Sequence, residues 1–267
     1  MKRAFILLLV ALAGITLLSG CVNSPQGEPA PVVTPLPPEE KPHYNIGIDA
    51  DYPPFTYRDS TGNFSGFDID SARWIAEREG FTVEFVQIPW DTIIPTLQDG
   101  RIDMIYSGMA ITPERQKEVN FTIPYYTVNT SMAVRSGSNI TLQDLYDGRI
   151  RVGTQSGSAD VTWVESTLIR TGKMPAAYLV LYPDLVTLTG GLLEGQIDAS
   201  LADTPSQERL IAGKDLVIVG EIPTDDRYAV AVRKTDPKLL STMNDGLRRL
   251  MADPHWQVLL NNYGLSP

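Results

Sequence analysis

The amino-acid sequence predicts an α/β protein with mostly parallel sheets flanked by helices, and two observations support this fold class. Strand-like and helix-like segments alternate from Tyr44 onward, which is the pattern of βαβ units. LQDGRIDMIYSG at 97–108 and LLEGQIDASLAD at 192–203 also share a Leu, an acid-Gly helix end and an Ile-Asp pair that enters a strand. This faint repeat suggests two similar lobes, although convergence on a common turn would produce the same pattern.

The predicted elements follow one another in a regular order. In the first half they are a strand at 44–48, a helix within 66–80, a strand at 82–88, a short helix at 92–100 and a strand at 102–108. In the second half they are a strand and loop at 150–157, a helix from Asp160, and a helix followed by a strand within 185–203. Gly80 can close the first helix, because glycine readily takes the left-handed backbone conformation. Ligands of open α/β sheets bind beyond the carboxyl ends of the strands, so two such lobes facing each other would enclose a cleft.

Residues 1–20 have the layout of a secretory signal peptide. Lys2 and Arg3 precede an unbroken apolar run from Ala4 to Leu12, which is too short for a comfortable membrane span. The single cysteine, Cys21, directly follows Leu18-Ser19-Gly20. This arrangement resembles a lipoprotein lipobox, in which the cysteine becomes the lipidated first residue of the mature chain. A lone cysteine allows no internal disulfide.

Residues 21–42 predict a semi-rigid tether, because the stretch after Cys21 is dense in proline and lacks helix or strand periodicity. Removing residues 1–20 takes away two of the 22 basic residues and none of the 32 acids, which changes the formal net charge from −10 to −12. This strongly negative net charge argues against nucleic acid and against an anionic bilayer surface as partners. The sequence thus predicts an extracytoplasmic lipoprotein anchored to the cell membrane, at the cell surface or in the periplasm.

One helix start carries an unexpected charge. In SGMAITPERQK (107–117), Thr112 is the predicted N-cap and Pro113 the first helical residue. Arg115 then falls in the first turn, where the helix dipole favours anions. Arg115 can pair with Glu118 across the helix surface, or it can share with the helix end an anion that is not part of the chain.

Several motifs resemble those of the extracellular solute-binding proteins of family 3, the amino-acid-binding subunits of ABC importers. In order they are IDADYPPFTY, GNFSGFDIDSARWIA, WDTIIPTLQDGRIDMIYSGMAITPER, FTIPYY, VGTQSGS, IDASLAD and WQVLLNNYG. The resemblance spans about 45–264 and implies a type II periplasmic-binding fold, with two lobes joined by two hinge crossovers. It assigns 43–126 and 227–267 to lobe 1 and 127–226 to lobe 2.

The resemblance also implies a ligand site. Its residues are Asp49, Tyr52, Trp90, Ser107, Gly108, Ala110, Arg115, Ser156, Gly157, Ser158 and Asp203. Arg115 would hold the ligand carboxylate, since a guanidinium can bind two oxygens in parallel. N–H groups near Gly108 and Ala110, together with the lobe 2 loop 155–158, would add donors. Many relatives carry Ser or Thr where Ala110 stands, and the missing hydroxyl removes a hydrogen bond with a net value of about 1 kcal/mol.

The ligand ammonium would bind Asp203, which matches the ammonium-binding aspartate of the family. Ser107 and the Gly108 carbonyl could share this role. Asp203 has an alternative use as the N-cap of a helix that begins near Thr204 and Pro205.

The ligand side chain would lie between the rings of Tyr52 and Trp90, which can sandwich aliphatic or cationic groups. In relatives that bind glutamine or basic amino acids, an acid at the position of Asp49 faces the distal amide or cation. Glutamine-binding relatives carry a lysine where Gly153 stands. A polar or cationic ligand is therefore predicted, of the arginine, lysine, ornithine, histidine or glutamine class.

The predicted function is that of a monomeric, non-enzymatic binding subunit in amino-acid transport. Bending near 125–127 and 223–227 would close the lobes, and a permease and an ATPase on separate chains would complete the importer, since no nucleotide-binding GxxxxGK[ST] run occurs. No catalytic residue, cofactor or metal site is predicted. His43 is expected to end the tether and His255 to lie in a C-terminal helix.

Two alternatives stay open. Cyclohexadienyl dehydratases share this fold and need a general acid, for which Asp49 or Asp203 could be nominated. A ligand-binding sensor component could use the same clamp, but it would need a separate signalling partner.

Overall fold

Two five-stranded β-sheets form the framework of the computed structural model, which describes residues 41–266. The predicted signal peptide at 1–20, Cys21 and most of the tether lie outside the described residues. Within 41–266, no helix combines the length and the apolar composition that a membrane crossing requires.

The strands and helices alternate as the sequence predicts. The strands are β1 His43–Ile48, β2 Asp51–Tyr52, β3 Thr56–Arg58, β4 Phe64–Ser65, β5 Thr82–Gln87, β6 Met104–Ile105, β7 Asn120–Phe121, β8 Tyr126–Arg135, β9 Val152–Gln155, β10 Leu179–Tyr182, β11 Ala199–Asp203, β12 Leu216–Tyr228 and β13 Ala231–Val232. The helices are α1 Phe67–Glu79, α2 Ile93–Gln98, α3 Pro113–Glu118, α4 Leu142–Tyr146, α5 Ala159–Val164, α6 Leu185–Leu193, α7 Thr204–Ile211, α8 Pro237–Ala252 and α9 His255–Tyr263. A π-helical turn at Glu165–Ile169 continues α5.

The two large sheets have the same topology. Their strand orders are β5-β1-β6-β13-β7 and β10-β9-β11-β8-β12. In each sheet the first three strands are parallel, the fourth is antiparallel to the third, and the fifth is antiparallel to the fourth. Four of the five strands therefore run in one direction, which confirms the predicted mostly parallel sheets. We call the first sheet with its connecting helices lobe 1 and the second lobe 2.

Two long strands carry the chain between the lobes. β8 and β12 pair with each other in lobe 2, from Tyr126 opposite Tyr228 onward. The strands that precede β8 and follow β12, β7 and β13, pair in the sheet of lobe 1. The β8–β12 ladder is interrupted between Ile222 and Asp226, where Asp225 has a positive φ of 51°. A second register shift lies at 218–220, so the one at 222–226 is the irregularity next to the passage between the lobes.

The internal repeat is visible in the structure as two equivalent helix–turn–strand units. β6 and β11 each occupy the central position of their sheet. The glycines that end the preceding helices, Gly100 and Gly195, have φ values of 77° and 76°, which is the left-handed conformation expected of a helix-closing residue. The repeat therefore marks two lobes built on one plan.

An arginine at the end of the neighbouring antiparallel strand, or directly after it, holds each of these turns. Arg233 donates through Nη1 to the carbonyls of Leu97 and Ile102. In lobe 2, Arg135 donates through Nη1 to the Leu192 and Ile197 carbonyls, both at 2.7 Å. The four acceptors occupy matching positions of the repeat, so the correspondence extends beyond the residues that reveal it in the sequence.

Two local predictions need correction. The strand predicted at 102–108 covers only Met104–Ile105, because the backbone after Ile105 turns into a loop that bonds to side chains. His43 does not end the tether. It is the first residue of β1 and pairs with Thr82, because the Thr82 N–H already bonds to the Pro42 carbonyl at 2.8 Å and extends the ladder.

Candidate functional site

A cavity of about 30 Å³ lies between the carboxyl ends of β1 and β6 in lobe 1 and those of β9 and β11 in lobe 2. We call it the interlobe cavity. Its lining consists of Asp49, Tyr52, Trp90, Ser107, Gly108, Ala110, Arg115, Gln155, Ser158, Ala159 and Asp203. Every predicted site residue except Ser156 and Gly157 belongs to this lining. The structure thus brings together residues that the sequence places up to 154 positions apart.

Arg115 enters the cavity from the first turn of α3. The Thr112 hydroxyl accepts the Arg115 backbone N–H at 3.2 Å, and Pro113 is the first helical residue, which confirms the predicted helix start. The guanidinium donates to the carbonyl of Ala110 at 2.8 Å and, across the cleft, to that of Gly157 at 3.0 Å. It lies 5.4 Å from the centre of the Trp90 ring.

The alternative in which Arg115 pairs with Glu118 is wrong. The Glu118 carboxylate instead accepts a hydrogen bond from Gln98, and within residues 41–266 no carboxylate oxygen lies within 4.0 Å of the Arg115 guanidinium. Arg115 is only 9% exposed. Its burial lowers the pKa, against the opposing attraction of Asp203 and Asp226. A buried cation held only by carbonyls favours an anion beside it.

Asp203 is the last residue of β11 and stands at the N-cap position of α7, yet its side chain makes no capping hydrogen bond. The capping alternative is therefore wrong. Its carboxylate instead accepts a hydrogen bond from the Tyr52 hydroxyl, which also bonds to the Tyr228 hydroxyl. Burial raises the Asp203 pKa, against these hydrogen bonds and the attraction of Arg115. The carboxylate faces lobe 1 across the cavity.

A second acid of lobe 2 lies near Asp203. Asp160, in the first turn of α5, is buried and accepts a hydrogen bond from the Thr130 hydroxyl at 2.6 Å. Burial and the neighbouring charge of Asp203 raise its pKa. A cation bound at Asp203 would lower both pKa values, because it favours the ionised carboxylates.

Asp49 follows β1 and forms the other acidic wall. Its Oδ1 accepts the Asp51 N–H at 3.0 Å, and its Oδ2 accepts the Gln155 side-chain amide at 2.7 Å. The Gln155 amide also donates to the Pro183 carbonyl at 3.3 Å. Burial raises the Asp49 pKa, while the bonds from Gln155 and Asp51 oppose the rise. The Asp49–Gln155 bond joins the lobes beside the Tyr52–Asp203 bond.

The loop at 107–110 differs from the prediction in one respect. The Gly108 N–H was expected to serve the ligand carboxylate, but it donates to the buried side chain of Asp68 at 2.7 Å. The Ser107 hydroxyl accepts the Asp49 N–H at 3.0 Å and lies 2.7 Å from the Thr56 hydroxyl. Gly108 has a φ of 57°, and a Cβ there would come within 2.4 Å of the Tyr52 ring. The loop is held tightly by lobe 1.

The lobe 2 loop also departs from its predicted use. The Ser156 N–H donates to the Tyr182 carbonyl at 2.7 Å, and Gly157 meets Arg115 only through its carbonyl. The Ser158 hydroxyl caps α5 by accepting the Val161 N–H at 3.4 Å. Neither Ser156 nor Gly157 lines the cavity. The Ser156 N–H and the Gly157 carbonyl form hydrogen bonds with Tyr182 and Arg115 instead.

Sequence reasoning missed four residues of this region and gave Gln155 only a place in the donor loop 155–158. The four are Ala159, Asp160, Asp68 and Tyr228. Ala159 and Asp160 directly follow the Ser-Gly-Ser run, so their position after that motif was an available signal. Asp68 has the pattern of an ordinary acid in the first turn of a helix. Nothing in the sequence distinguishes Tyr228 from the other tyrosines.

The comparisons with known proteins agree with this architecture. The model of the bacterial extracellular solute-binding proteins, family 3, matches residues 44–266. The ABC transporter arginine-binding protein 1 of Escherichia coli K12 is 30% identical over 225 residues, which cover 82% of this chain and 89% of the relative.

Solved structures show the same similarity. An ancestral arginine-binding protein bound to arginine has a TM-score of 0.76 at 30% identity, over 84% of this chain and 99% of its own. The ancestral amino acid-binding protein AncCDT-1, a precursor of cyclohexadienyl dehydratase, has a TM-score of 0.74 at 32% identity, over 83% and 95% of the two chains. These neighbours confirm the predicted fold class.

Proposed function

The chain belongs to the bacterial extracellular solute-binding proteins of family 3, and from this membership we propose that its interlobe cavity captures a basic L-amino acid for an ABC importer. Arginine, lysine, ornithine and protonated histidine form the proposed ligand class. Glutamine is the alternative, since it shares their length and has a polar end.

The observation that carries this proposal is the charge balance of the cavity lining. It holds one cation, Arg115, and two carboxylates, Asp49 and Asp203. A basic amino acid brings one carboxylate and two cationic groups, so every charge in the closed cleft would have an opposite partner. Buried charges are tolerated when they are paired and hydrogen-bonded. Glutamine would leave one of the carboxylates without a cation.

Each group of the ligand has a matching side chain. Arg115 uses some of its five N–H donors on carbonyls and offers the others to the ligand carboxylate. The ligand ammonium would replace the Tyr52 hydroxyl at Asp203, and the distal cation would replace the Gln155 amide at Asp49. In both exchanges a neutral donor gives way to a charged one, which makes the stronger hydrogen bond.

The proposed cycle requires the lobes to separate and close again. A volume of about 30 Å³ is room for water and not for an amino acid. We propose that bending at 125–127 and 223–227 opens lobe 2 away from lobe 1, and that the ligand shifts the equilibrium back to the closed form by bonding to both lobes. A permease and an ATPase on separate chains would receive the closed monomer.

A calorimetric titration of the purified protein tests the ligand class. We expect arginine, lysine or ornithine to bind at least about tenfold more tightly than glutamine, and glutamate not to bind. Tighter binding of glutamine, or no binding of any basic amino acid, would contradict the proposal.

The similarity to AncCDT-1 makes prephenate and arogenate necessary additions to the panel. We propose that both are recovered unchanged, because the two cavity carboxylates serve binding; conversion of either would identify an enzyme.

We further propose that the chain is secreted and anchored through lipid on Cys21, in keeping with the extracellular location of its family. The signal-like residues 1–20, the position of Cys21 and the proline-rich stretch that follows support this. Membrane fractionation of expressing cells tests it. The native chain should sediment with membranes and the Cys21→Ala variant should not; equal distribution of the two would refute the anchor.

A further inference from the structure

We infer that Asp68 is a positioning residue for the ligand site: its carboxylate sets the orientation of the Ser107–Gly108 peptide and ties it to the first crossover. The inference rests on the proposed function. Asp68 lies in the first turn of α1, does not line the interlobe cavity, and is fully buried.

One oxygen of Asp68 holds two parts of lobe 1 together. Oδ2 accepts the Gly108 N–H at 2.7 Å and the Tyr125 hydroxyl at 2.8 Å. Gly108 lines the cavity. Tyr125 immediately precedes β8, and its N–H bonds to the carbonyl of Tyr228, the last residue of β12. A single atom therefore connects the binding loop with the point where both crossovers leave lobe 1.

The direction of the Gly108 N–H determines what the loop presents to a ligand. A trans peptide is planar, so the Ser107 carbonyl points opposite to the Gly108 N–H. Asp68 draws the N–H into lobe 1, which turns the Ser107 carbonyl away from Asp68, and Ser107 is one of the residues that line the cavity. In the described part of the chain, no hydrogen bond reaches that carbonyl. It is thus held ready as an acceptor for a cationic group.

The cost of burying Asp68 supports a role other than stability. Its second oxygen, Oδ1, has no hydrogen-bond partner among residues 41–266, and neither do the neighbouring Ser71 and Tyr106 hydroxyls. A buried carboxyl with an unsatisfied oxygen destabilises a fold. An apolar side chain would fill this place at lower cost, so the position is explained by the groups that Oδ2 orients.

Amide and alanine variants separate positioning from packing. Asp68→Asn keeps an oxygen for the Gly108 N–H, whereas Asp68→Ala removes it. Leu250→Ala is the matched control, since Leu250 is buried in α8 of lobe 1 and does not line the cavity. We expect Asp68→Ala to raise the Kd for the tightest-binding basic amino acid at least about tenfold. Leu250→Ala and Asp68→Asn should stay within about threefold of the native chain.

The Gly108 amide gives a readout that a packing role would not change. Burial raises the Asp68 pKa to about 8, against the hydrogen bonds from Tyr125 and Gly108. The other titratable groups facing it, Tyr106 and Tyr125, have pKa values raised well above 10 by burial and stay neutral. In glycine-¹⁵N-labelled protein, the Gly108 amide proton should shift with a midpoint near pH 8, and Asp68→Asn should abolish this shift.

These measurements distinguish the inference from the proposed function. If the native chain binds no amino acid, the proposed function fails, and the Gly108 amide alone decides whether Asp68 orients the loop. If the native chain binds and Asp68→Ala binds equally well, the inference is overturned. It is also overturned if Asp68→Asn binds as weakly as Asp68→Ala. Should Asp68→Ala not fold, a Gly108 amide proton whose pH dependence is the same in the native and Asn forms overturns it.

Discussion

Arg115 is a cation that the fold separates from carboxylates. Its donors meet two carbonyls, those of Ala110 and Gly157, which solvate the charge without neutralising it. Asp49, the acid at the other wall, has neutral donors from Gln155 and Asp51. Each charge is therefore only partly compensated, and a small zwitterion with a distal cation would complete the compensation of both.

Variants of the two walls should have different effects. Arg115→Ala should weaken binding of every amino acid by about 100-fold, and Arg115→Lys by about tenfold, because lysine keeps the charge but loses the planar fork. Asp49→Asn should weaken arginine binding by about tenfold and leave glutamine within about threefold. Asp51→Asn is the control, since Asp51 lies two residues away and does not line the cavity. Calorimetry measures each Kd. Native affinity in Arg115→Ala would contradict the carboxylate assignment.

The sequence predicted most of the side chains that surround the cavity. It predicted fewer of the contacts that each of them makes. The position of Arg115 follows from its helix start, a local signal. The partner of the Gly108 N–H does not, because Asp68 reaches it from a separate helix 40 positions earlier. The Asp49–Gln155 bond joins residues 106 positions apart in different lobes. Local sequence patterns carry no information about hydrogen bonds between residues so far apart in the chain.

At the scale of elements, each lobe depends on one arginine that holds the end of a helix against the start of the central strand. The Arg135 and Arg233 guanidiniums both bond to two backbone carbonyls in this turn. Carbonyls at a helix end lack the partners that carbonyls in the middle of a helix have. The Leu97 and Leu192 carbonyls already accept the N–H groups of Gly100 and Gly195. Each arginine therefore adds a second donor at the helix end and also supplies a donor to the carbonyl that precedes the central strand, that of Ile102 or Ile197.

Removal of either arginine should destabilise its own lobe. Arg135→Ala and Arg233→Ala should each lower the free energy of unfolding by about 2 kcal/mol, because each removes two hydrogen bonds to backbone carbonyls and leaves one of the two carbonyls with only its backbone donor. Arg149→Ala serves as control: its exposed side chain pairs with Asp144 and Asp147, and its loss should cost no more than about 0.5 kcal/mol. Urea denaturation provides the measurement. Equal losses in all three variants would show that the carbonyl contacts do not stabilise the turns.

The repeated elements were predictable in kind but not in extent. The helix and strand pattern indicated parallel sheets, and the shared acid-Gly-x-Ile-Asp run located the two central strands. β8 and β12 run for 10 and 13 residues, but no hydrophobic periodicity in the sequence predicted strands of this length. Their pairing depends on contacts between segments about 90 residues apart, which a local reading cannot supply.

Several buried carboxyl groups, in both lobes, have pKa values above the usual range. Burial is the main cause for Asp49, Asp68, Asp160 and Asp203. Such groups bind more protons in the folded chain than in the unfolded chain, from about pH 4 up to the raised pKa. The free energy of unfolding should therefore fall as the pH rises through this window. Carboxyls with lowered pKa values, such as Asp144, change the free energy of unfolding only at pH values below this window.

The expected result is a protein that unfolds at a higher urea concentration at pH 5 than at pH 8. Asp68→Asn should reduce this difference, because the amide does not titrate. Added arginine should reduce it as well, since a bound cation favours the ionised carboxylates. Denaturation at a series of pH values, with and without arginine, tests both statements. Stability that rises between pH 5 and pH 8 would contradict the assignment.

The Tyr52–Asp203 and Asp49–Gln155 bonds join the halves of the protein using its own side chains. If the transporter recognises the receptor by its closed outline, a receptor shut by these bonds alone would be accepted as loaded. Each such encounter would consume ATP and deliver nothing. The strength of two internal hydrogen bonds would then set how much ATP the importer spends without cargo. Weakening them would lower that waste without loosening the cargo, because a bound ligand has already displaced both bonds.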